Sequence, residues 1–332
     1  MSKSIPLIAV LLCASGLLWS NGALAGTKKP HKAQPARTEQ VQVQVNDLSE
    51  RFIDFYNAAN KPGVTEAQRW KLWRTHYGFG AVPPGQAGEA VAQAMLADAW
   101  PRYPAVMDRI VAGYAGMRPS PERQVRSIAD LLKLDQPLHL RITAYVGFLE
   151  GNAFTLGNRG EVRVAIPLED APEHRAITAA HELTHAVHIA LGALDGDGAQ
   201  SVAAIAISEG LAMHVSRAVV PGARVERYVE FIPGWFRDAE GMQRSIYESI
   251  RPQLAREDAD TVGRLTQGHG NTGLEREAYY VGWKIVELWL AEGRSFAQIA
   301  RIPPTKMASE ADAALARLLA KLPPRDTSEL KL

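Results

Sequence analysis

Asp170-Ala171-Pro172-Glu173-His174-Arg175-Ala176-Ile177-Thr178-Ala179-Ala180-His181-Glu182-Leu183-Thr184-His185-Ala186-Val187-His188-Ile189-Ala190-Leu191-Gly192 decides how this chain is read. Asp170 suits a helix N-cap, Pro172 a first turn and Glu173 the third position of a helix start. Gly192 suits the residue just past a helix end. The stretch therefore predicts one helix ending at Leu191. Residues four apart on a helix share a face, so the imidazoles of His181 and His185 can point at one ion. Glu182 stands one step round, close enough to hold a water without ligating the ion. Ala179, Ala180, Leu183 and Ala186 give the helix an apolar flank.

His181-Glu182-x-x-His185 is the spacing of a zinc-dependent amide hydrolase, with Glu182 as general base. Neutral imidazole suits zinc, and two His with one carboxylate leave a fourth position open. The third ligand must come from elsewhere. The next apolar run, from Ser201 to about Val219, predicts a second helix carrying Ser208-Glu209-Gly210-Leu211-Ala212. Glu209 is the sole acidic residue between Asp197 and Glu226. A carboxylate in so apolar a helix needs a partner, because an unpaired buried charge is expensive. Gly210 would let this helix approach the first one closely. The bland alternatives are histidines that pack or face water, and a surface Glu209 in an ordinary ion pair.

Outward from this centre the patterns change. Upstream, Leu138 to Gly147 and Glu161 to Ile166 alternate as strands do, with turn residues at 150–152 and 157–160 between them. They predict a small sheet of three or four strands. Further upstream, from Asn46 to about Leu134, apolar residues recur at helical spacing. Trp70, Trp73, Tyr77 and Trp100 look like core aromatics there, with a carbohydrate platform as the alternative. Downstream, Thr272-Gly273-Leu274-Glu275 has the form of a capping box and predicts a helix through Leu290. The fold class expected is α+β, mostly α. A small mixed sheet packs on the helix of His181, between N- and C-terminal helical regions.

The ends and the composition set further bounds. The chain has 332 residues, 46% of them hydrophobic, and a net charge of +1. That supports a full-sized core and gives no basic excess for a nucleic-acid partner. Residues 1–25 have a secretory signal layout: Lys3, then an apolar run from Ile5 to Leu18, then Ala23-Leu24-Ala25 before Gly26. Cleavage after Ala25 would place the mature chain in the periplasm or outside the cell, without stable membrane insertion. Cys13 is the sole cysteine, so a mature chain would have neither disulfides nor thiolate ligands. Residues 26–45 read as a disordered leader, 46–135 as the N-terminal helical region and 136–332 as the catalytic region.

His181-Glu182-x-x-His185 followed on the next helix by Glu209-Gly210-Leu211-Ala212 resembles the gluzincin metallopeptidases. It is most similar to bacterial predicted zinc-dependent proteases with a Glu-Gly-Leu-Ala third-ligand helix. The resemblance covers about residues 138–292. It implies one zinc ion per chain on His181, His185 and Glu209, Glu182 as the base, and a peptide or protein substrate. Gluzincin aminopeptidases carry a Tyr three residues before a Gly on a later helix, where its hydroxyl stabilises the oxyanion. Tyr279 in Tyr279-Tyr280-Val281-Gly282 fits that place, with Tyr280 as its immediate competitor. Metzincins fit poorly, since their third His would fall at Leu191. Many gluzincins also place an Asp where this chain has Met213, so the groups orienting the ligands are not legible. The substrate-binding edge strand is suggested by Gly151 to Phe154 or by Val162 to Ile166.

Weaker candidates complete the reading. His188 could compete as a ligand, and His269 sits in a Gly-flanked loop that could offer a donor. His214 points away from Glu209. Asp195-Gly196-Asp197-Gly198 hints at calcium but lacks the later oxygen ligands. Two other functions remain open: a zinc hydrolase acting on a non-protein amide or ester, and a non-catalytic zincin-fold binding protein of the cell envelope.

Overall fold

The computed structural model describes residues 40–82, 85–192 and 200–323. The signal segment, the leader as far as Glu39 and the Asp195 to Gly198 loop lie outside those residues. The chain is α+β and mostly helical. Its strands are β1 (Val41–Asp47), β2 (Leu138–Tyr145), β3 (Phe154–Gly157) and β4 (Val162–Pro167). The N-terminal helices are α1 (Ser49–Ala59), α2 (Glu66–His76), α3 (Gln86–Ala99), α4 (Met107–Ala112) and α5 (Pro121–Leu131). After the sheet come α6 (Pro172–Leu191), α7 (Val202–Val219), α8 (Glu226–Val229), α9 (Trp235–Gly241), α10 (Gln243–Ile250), α11 (Ala259–Thr266), α12 (Glu277–Ala291), α13 (Phe296–Ile299) and α14 (Pro304–Lys321).

The sheet has the order β1-β2-β4-β3. β1 and β4 flank β2 in parallel, and β3 runs antiparallel along β4. β1 corrects the expectation of a disordered leader reaching residue 45. Val41-Gln42-Val43-Gln44-Val45 alternates as a strand should, and it pairs with Leu138 to Ile142. The sheet thus joins the N-terminal region to the region after residue 136. Among the described residues the main apolar core draws on both regions, from Val41 to Leu315, with a smaller cluster around Met213 and Trp283 beside it.

Caps explain most of the central helices. α6 begins with Pro172 at its first turn and ends at Gly192, which takes the left-handed conformation at φ 75°. Its N-cap is Ala171; the Asp170 carboxylate instead faces His174 Nδ1 at 3.1 Å. The Ser201 hydroxyl accepts from Ala204 N and starts α7. The capping box expected at Thr272 does not form. The Thr272 N–H and hydroxyl both donate to Glu277 Oε1 at 2.6 Å, and α12 starts five residues later. The chain between makes a small hairpin, with His269 bridged to Glu275.

α7 is long and apolar enough to cross a membrane by length and composition, yet 72% of it is buried inside the fold. It lies between α6 and α12. On the α12 side the backbones touch. A Cβ on Gly210 would stand 2.1 Å from the Gly282 carbonyl oxygen, and one on Gly282 would stand 1.9 Å from the Ala206 carbonyl oxygen. The close approach expected of Gly210 is therefore made to α12, not to α6.

The N-terminal helices hold the turn that follows β2. The Tyr77 hydroxyl donates to Val146 O at 2.9 Å and accepts from Val146 N at 2.7 Å, while the Tyr103 hydroxyl donates to Gly147 O at 2.8 Å. Trp73 and Tyr77 are buried, and Trp70 stacks on Trp73 at 4.8 Å. These aromatics pack into the fold as core residues. Beneath them lies Glu169, 2% exposed. Its Oε1 accepts from Gly147 N at 2.9 Å, and its Oε2 has no partner. Arg109 donates to the Glu169 carbonyl and Arg175 to that of Leu168. Burial, with Glu150 and Asp170 nearby, pushes the Glu169 carboxyl up to about 8.

Between the ordinary carboxylate value of 4.5 and about 8, the folded chain keeps a proton that the unfolded chain has released. The contribution of Glu169 to stability therefore falls as pH rises across that window, by up to about 1.4 kcal/mol per pH unit, and the loss is complete above it, while the lowered His188 and His214 act in the opposite sense below their ordinary value. Glu169→Gln keeps the neutral shape and removes this dependence. Measured against the wild-type chain at each pH, the Tm of the variant should gain as pH rises from 5 to 8; a Tm difference that stays constant with pH would show that Glu169 is already ionised in the fold.

Candidate metal centre

α6 and α7 bring three side chains together. His181 Nε2 and His185 Nε2 are 3.1 Å apart. Glu209 Oε2 is 3.0 Å from His181 Nε2, and Glu209 Oε1 is 3.5 Å from His185 Nε2. Among the described residues this is the one His/Cys/Asp/Glu group whose ligand atoms cluster as a metal requires. Ligand atoms about 2.0–2.1 Å from a tetrahedral zinc stand about 3.3 Å apart. The three separations bracket that value, so the donor set fits zinc in type and in spacing.

The charges agree. Burial by itself would raise the Glu209 carboxyl, but the imidazoles of His185 and His181 hold it well below the usual carboxylate range. Burial would lower His185, yet Glu209 outweighs it and lifts the imidazole to about 9. The pocket thus favours positive charge beside Glu209. A proton on His185 supplies that charge in the chain alone, and metal binding would compete with it.

Each functional atom has a support. Ser208 Oγ lies 3.1 Å from His185 Nδ1. With Nδ1–H donating to it, Nε2 is left free to ligate. The sequence offered no orienting group, and Ser208 stands where one would be needed. The Glu182 side chain is mostly buried, and the Thr155 hydroxyl lies 2.7 Å from its Oε2 and 2.9 Å from its backbone carbonyl. Thr155 belongs to β3, an edge strand. Of the two stretches suggested as the edge, Val162 to Ile166 is interior, because β4 lies between β2 and β3. The other, Gly151 to Phe154, reaches the edge strand only at Phe154, where β3 begins.

Tyr279 comes from α12. Burial and the nearby Glu209 and Glu182 carboxylates raise its phenol, against the pull of Arg276. It is therefore a neutral donor beside the cluster. Tyr280 turns the other way, fully buried and stacked on Tyr247 at 6.0 Å.

The remaining histidines stand apart. His188 is fully buried, and burial, with His185 close by, brings it down to about 3. It is neutral and outside the three-residue cluster. His214 stacks on Trp283 at 3.8 Å, and Met213 is buried in the same small apolar cluster as Trp283. His269 is exposed, with Nδ1 3.2 Å from Gly273 O inside its own hairpin.

Residues 146–309 match the model of a family described as predicted Zn-dependent protease. The match covers just under half of the chain and includes His181, Glu182, His185, Glu209 and Tyr279. No curated protein and no solved structure matches the chain. The family description and the His/His/Glu cluster together support a zinc-dependent protease.

Two outcomes are expected. The purified chain should carry about one zinc ion, measured by elemental analysis, and His185→Ala should lose it. Gly282→Ala drives a methyl into the Ala206 carbonyl. It should cost about 3 kcal/mol or more in stability, with weaker zinc retention because α7 must move. A Gly282→Ala chain with unchanged Tm and zinc affinity would show that the helix contact does not set the site.

Proposed function

We propose that this chain is a gluzincin-type zinc peptidase that hydrolyses peptide bonds in peptides or proteins. The secretory signal layout of residues 1–25 would direct it to the periplasm or outside the cell. The observation carrying the proposal is the convergence of His181, His185 and Glu209 with a mostly buried carboxylate, Glu182, and a neutral phenol, Tyr279, on the same site.

Zinc held by those three residues would supply a Lewis acid and make water a nucleophile near neutral pH. Glu182 takes a proton from the attacking water and passes it to the leaving amine. Thr155 steadies the carboxylate by its contact with Oε2. Tyr279 donates a hydrogen bond to the oxyanion as the carbonyl carbon becomes tetrahedral. Ser208 holds the His185 ring in one tautomer. β3 exposes an edge beside this machinery, and an extended peptide can add to such an edge by main-chain hydrogen bonds.

Glu182→Gln should retain zinc and lose turnover on a peptide library by at least about 100-fold. A variant that keeps both zinc and activity overturns this role. If the zinc-loaded wild-type chain cleaves no peptide but acts on esters or small amides, the substrate class is wrong while the metal chemistry stands.

A further inference from the structure

We infer that Arg276 forms a subsite for a carboxylate of the substrate; this rests on the peptidase reading above. Arg276 is the residue before α12, and it adopts the left-handed conformation, φ 58° and ψ 42°. Gly or Asn would take that shape at less cost, and non-glycine residues held there cluster at functional sites. The backbone is fixed on both sides: Arg276 N donates to Gly268 O at 3.0 Å, and Arg276 O accepts from Tyr279 N at 3.0 Å. This conformation lays the guanidinium carbon 4.4 Å from the centre of the Phe231 ring and 5.7 Å from the centre of the Tyr279 ring.

The cation is placed but poorly satisfied. Its side chain is 19% exposed. Its Nε is buried with no hydrogen-bond acceptor. The carboxylate paired with it, Glu275, stands 3.9 Å away, too far for a hydrogen bond. A guanidinium presents a planar fork that matches a carboxylate bidentately. Phe231 beneath it limits its motion, so little freedom is lost on binding.

The location suits a substrate group. Tyr279 lies near Glu209 of the cluster, whose charge acts on its phenol, and the Arg276 guanidinium stands against the same ring. An extended peptide advances about 3.3–3.6 Å per residue. A guanidinium against the Tyr279 ring therefore lies within about two residues of a carbonyl held at the Tyr279 hydroxyl. A peptide C-terminus or an acidic side chain just beyond the scissile bond would meet it.

The test is binding, on zinc-loaded full-length Glu182→Gln protein, by calorimetry. The probes are N-acetyl-Ala-Ala-Ala as the free acid, the same peptide as its C-terminal amide, and N-acetyl-Ala-Glu-Ala amide. One carboxylate-bearing probe should bind at least about tenfold tighter than the neutral amide. The free acid in that role identifies a C-terminal carboxylate, and the Glu peptide an acidic side chain. Arg276→Gln should abolish the preference and Arg276→Lys should keep part of it, both with unchanged zinc content. A preference that survives in Arg276→Gln would put the carboxylate on the metal and overturn the inference. Equal binding of all three probes, or binding of none, also overturns it. Carboxylate selection by a wild-type chain that cleaves nothing would overturn the peptidase reading alone.

Discussion

The contact between Gly210 and Gly282 governs the geometry of the site. A helix pair normally keeps its axes 8–10 Å apart because side chains fill the gap. Here there is no room for a Cβ on either glycine, so α7 and α12 meet backbone to backbone. Glu209 directly precedes one glycine, and Tyr279 lies three residues before the other. The contact therefore fixes the distance between a carboxylate on one helix and a phenol on the other. It leaves the opposite side of α7 free to meet α6, where His181 and His185 wait. One close approach thus orders groups from three helices, two of them consecutive and the third, α12, distant in sequence.

Electrostatics then determines what this arrangement can hold. A carboxylate in the middle of a buried apolar helix is costly unless paired. Glu209 is paired twice, with both imidazoles, and its acidity rises because of them. The same pairing raises His185. Such a site is strained toward positive charge without a bulky cation of its own. A small divalent ion relieves both tendencies, since it replaces the shared proton and satisfies three lone pairs together. His188 marks the limit of this zone: one turn on, with no carboxylate facing it, burial prevails and the ring is neutral.

Much of this was legible because it is local. The bounds of α6 and α7 follow from Pro172, Gly192 and Ser201, whose effects extend over a turn. The sharing of one face by His181 and His185 follows from helical spacing, and Glu209 stood out as an isolated charge in an apolar run. What was not legible is non-local. β1 has clear alternation, yet its partner lies almost a hundred residues on, and the Lys- and Pro-rich stretch before it suggested disorder. The Thr272 to Glu275 pattern looked like a cap, but Glu277 captured Thr272 and folded the intervening residues into a hairpin. Thr155, Ser208 and Arg276 are unremarkable as letters. Each acquires a role solely through what tertiary packing sets beside it.

The N-terminal region extends this argument beyond the metal helices. Thr155 can touch Glu182 because β3 is held against α6, and β3 is held by β4. β4 in turn pairs with β2, which has β1 on its other side. The turn leaving β2 is fastened by Tyr77 and Tyr103, both contributed by the N-terminal region. That turn is crowded from below by Glu169, whose proton offsets the cost of burying it. A chain of contacts thus runs from β1 and the N-terminal aromatics, through the sheet, to the carboxylate proposed as base. The His181, His185 and Glu209 cluster depends on helix packing, and the contact of Thr155 with Glu182 depends on the sheet. Damage to the N-terminal half should disturb the carboxylate of Glu182, which Thr155 of β3 touches, before it disturbs the His181, His185 and Glu209 cluster, which the packing of α6 on α7 and of α7 on α12 holds together.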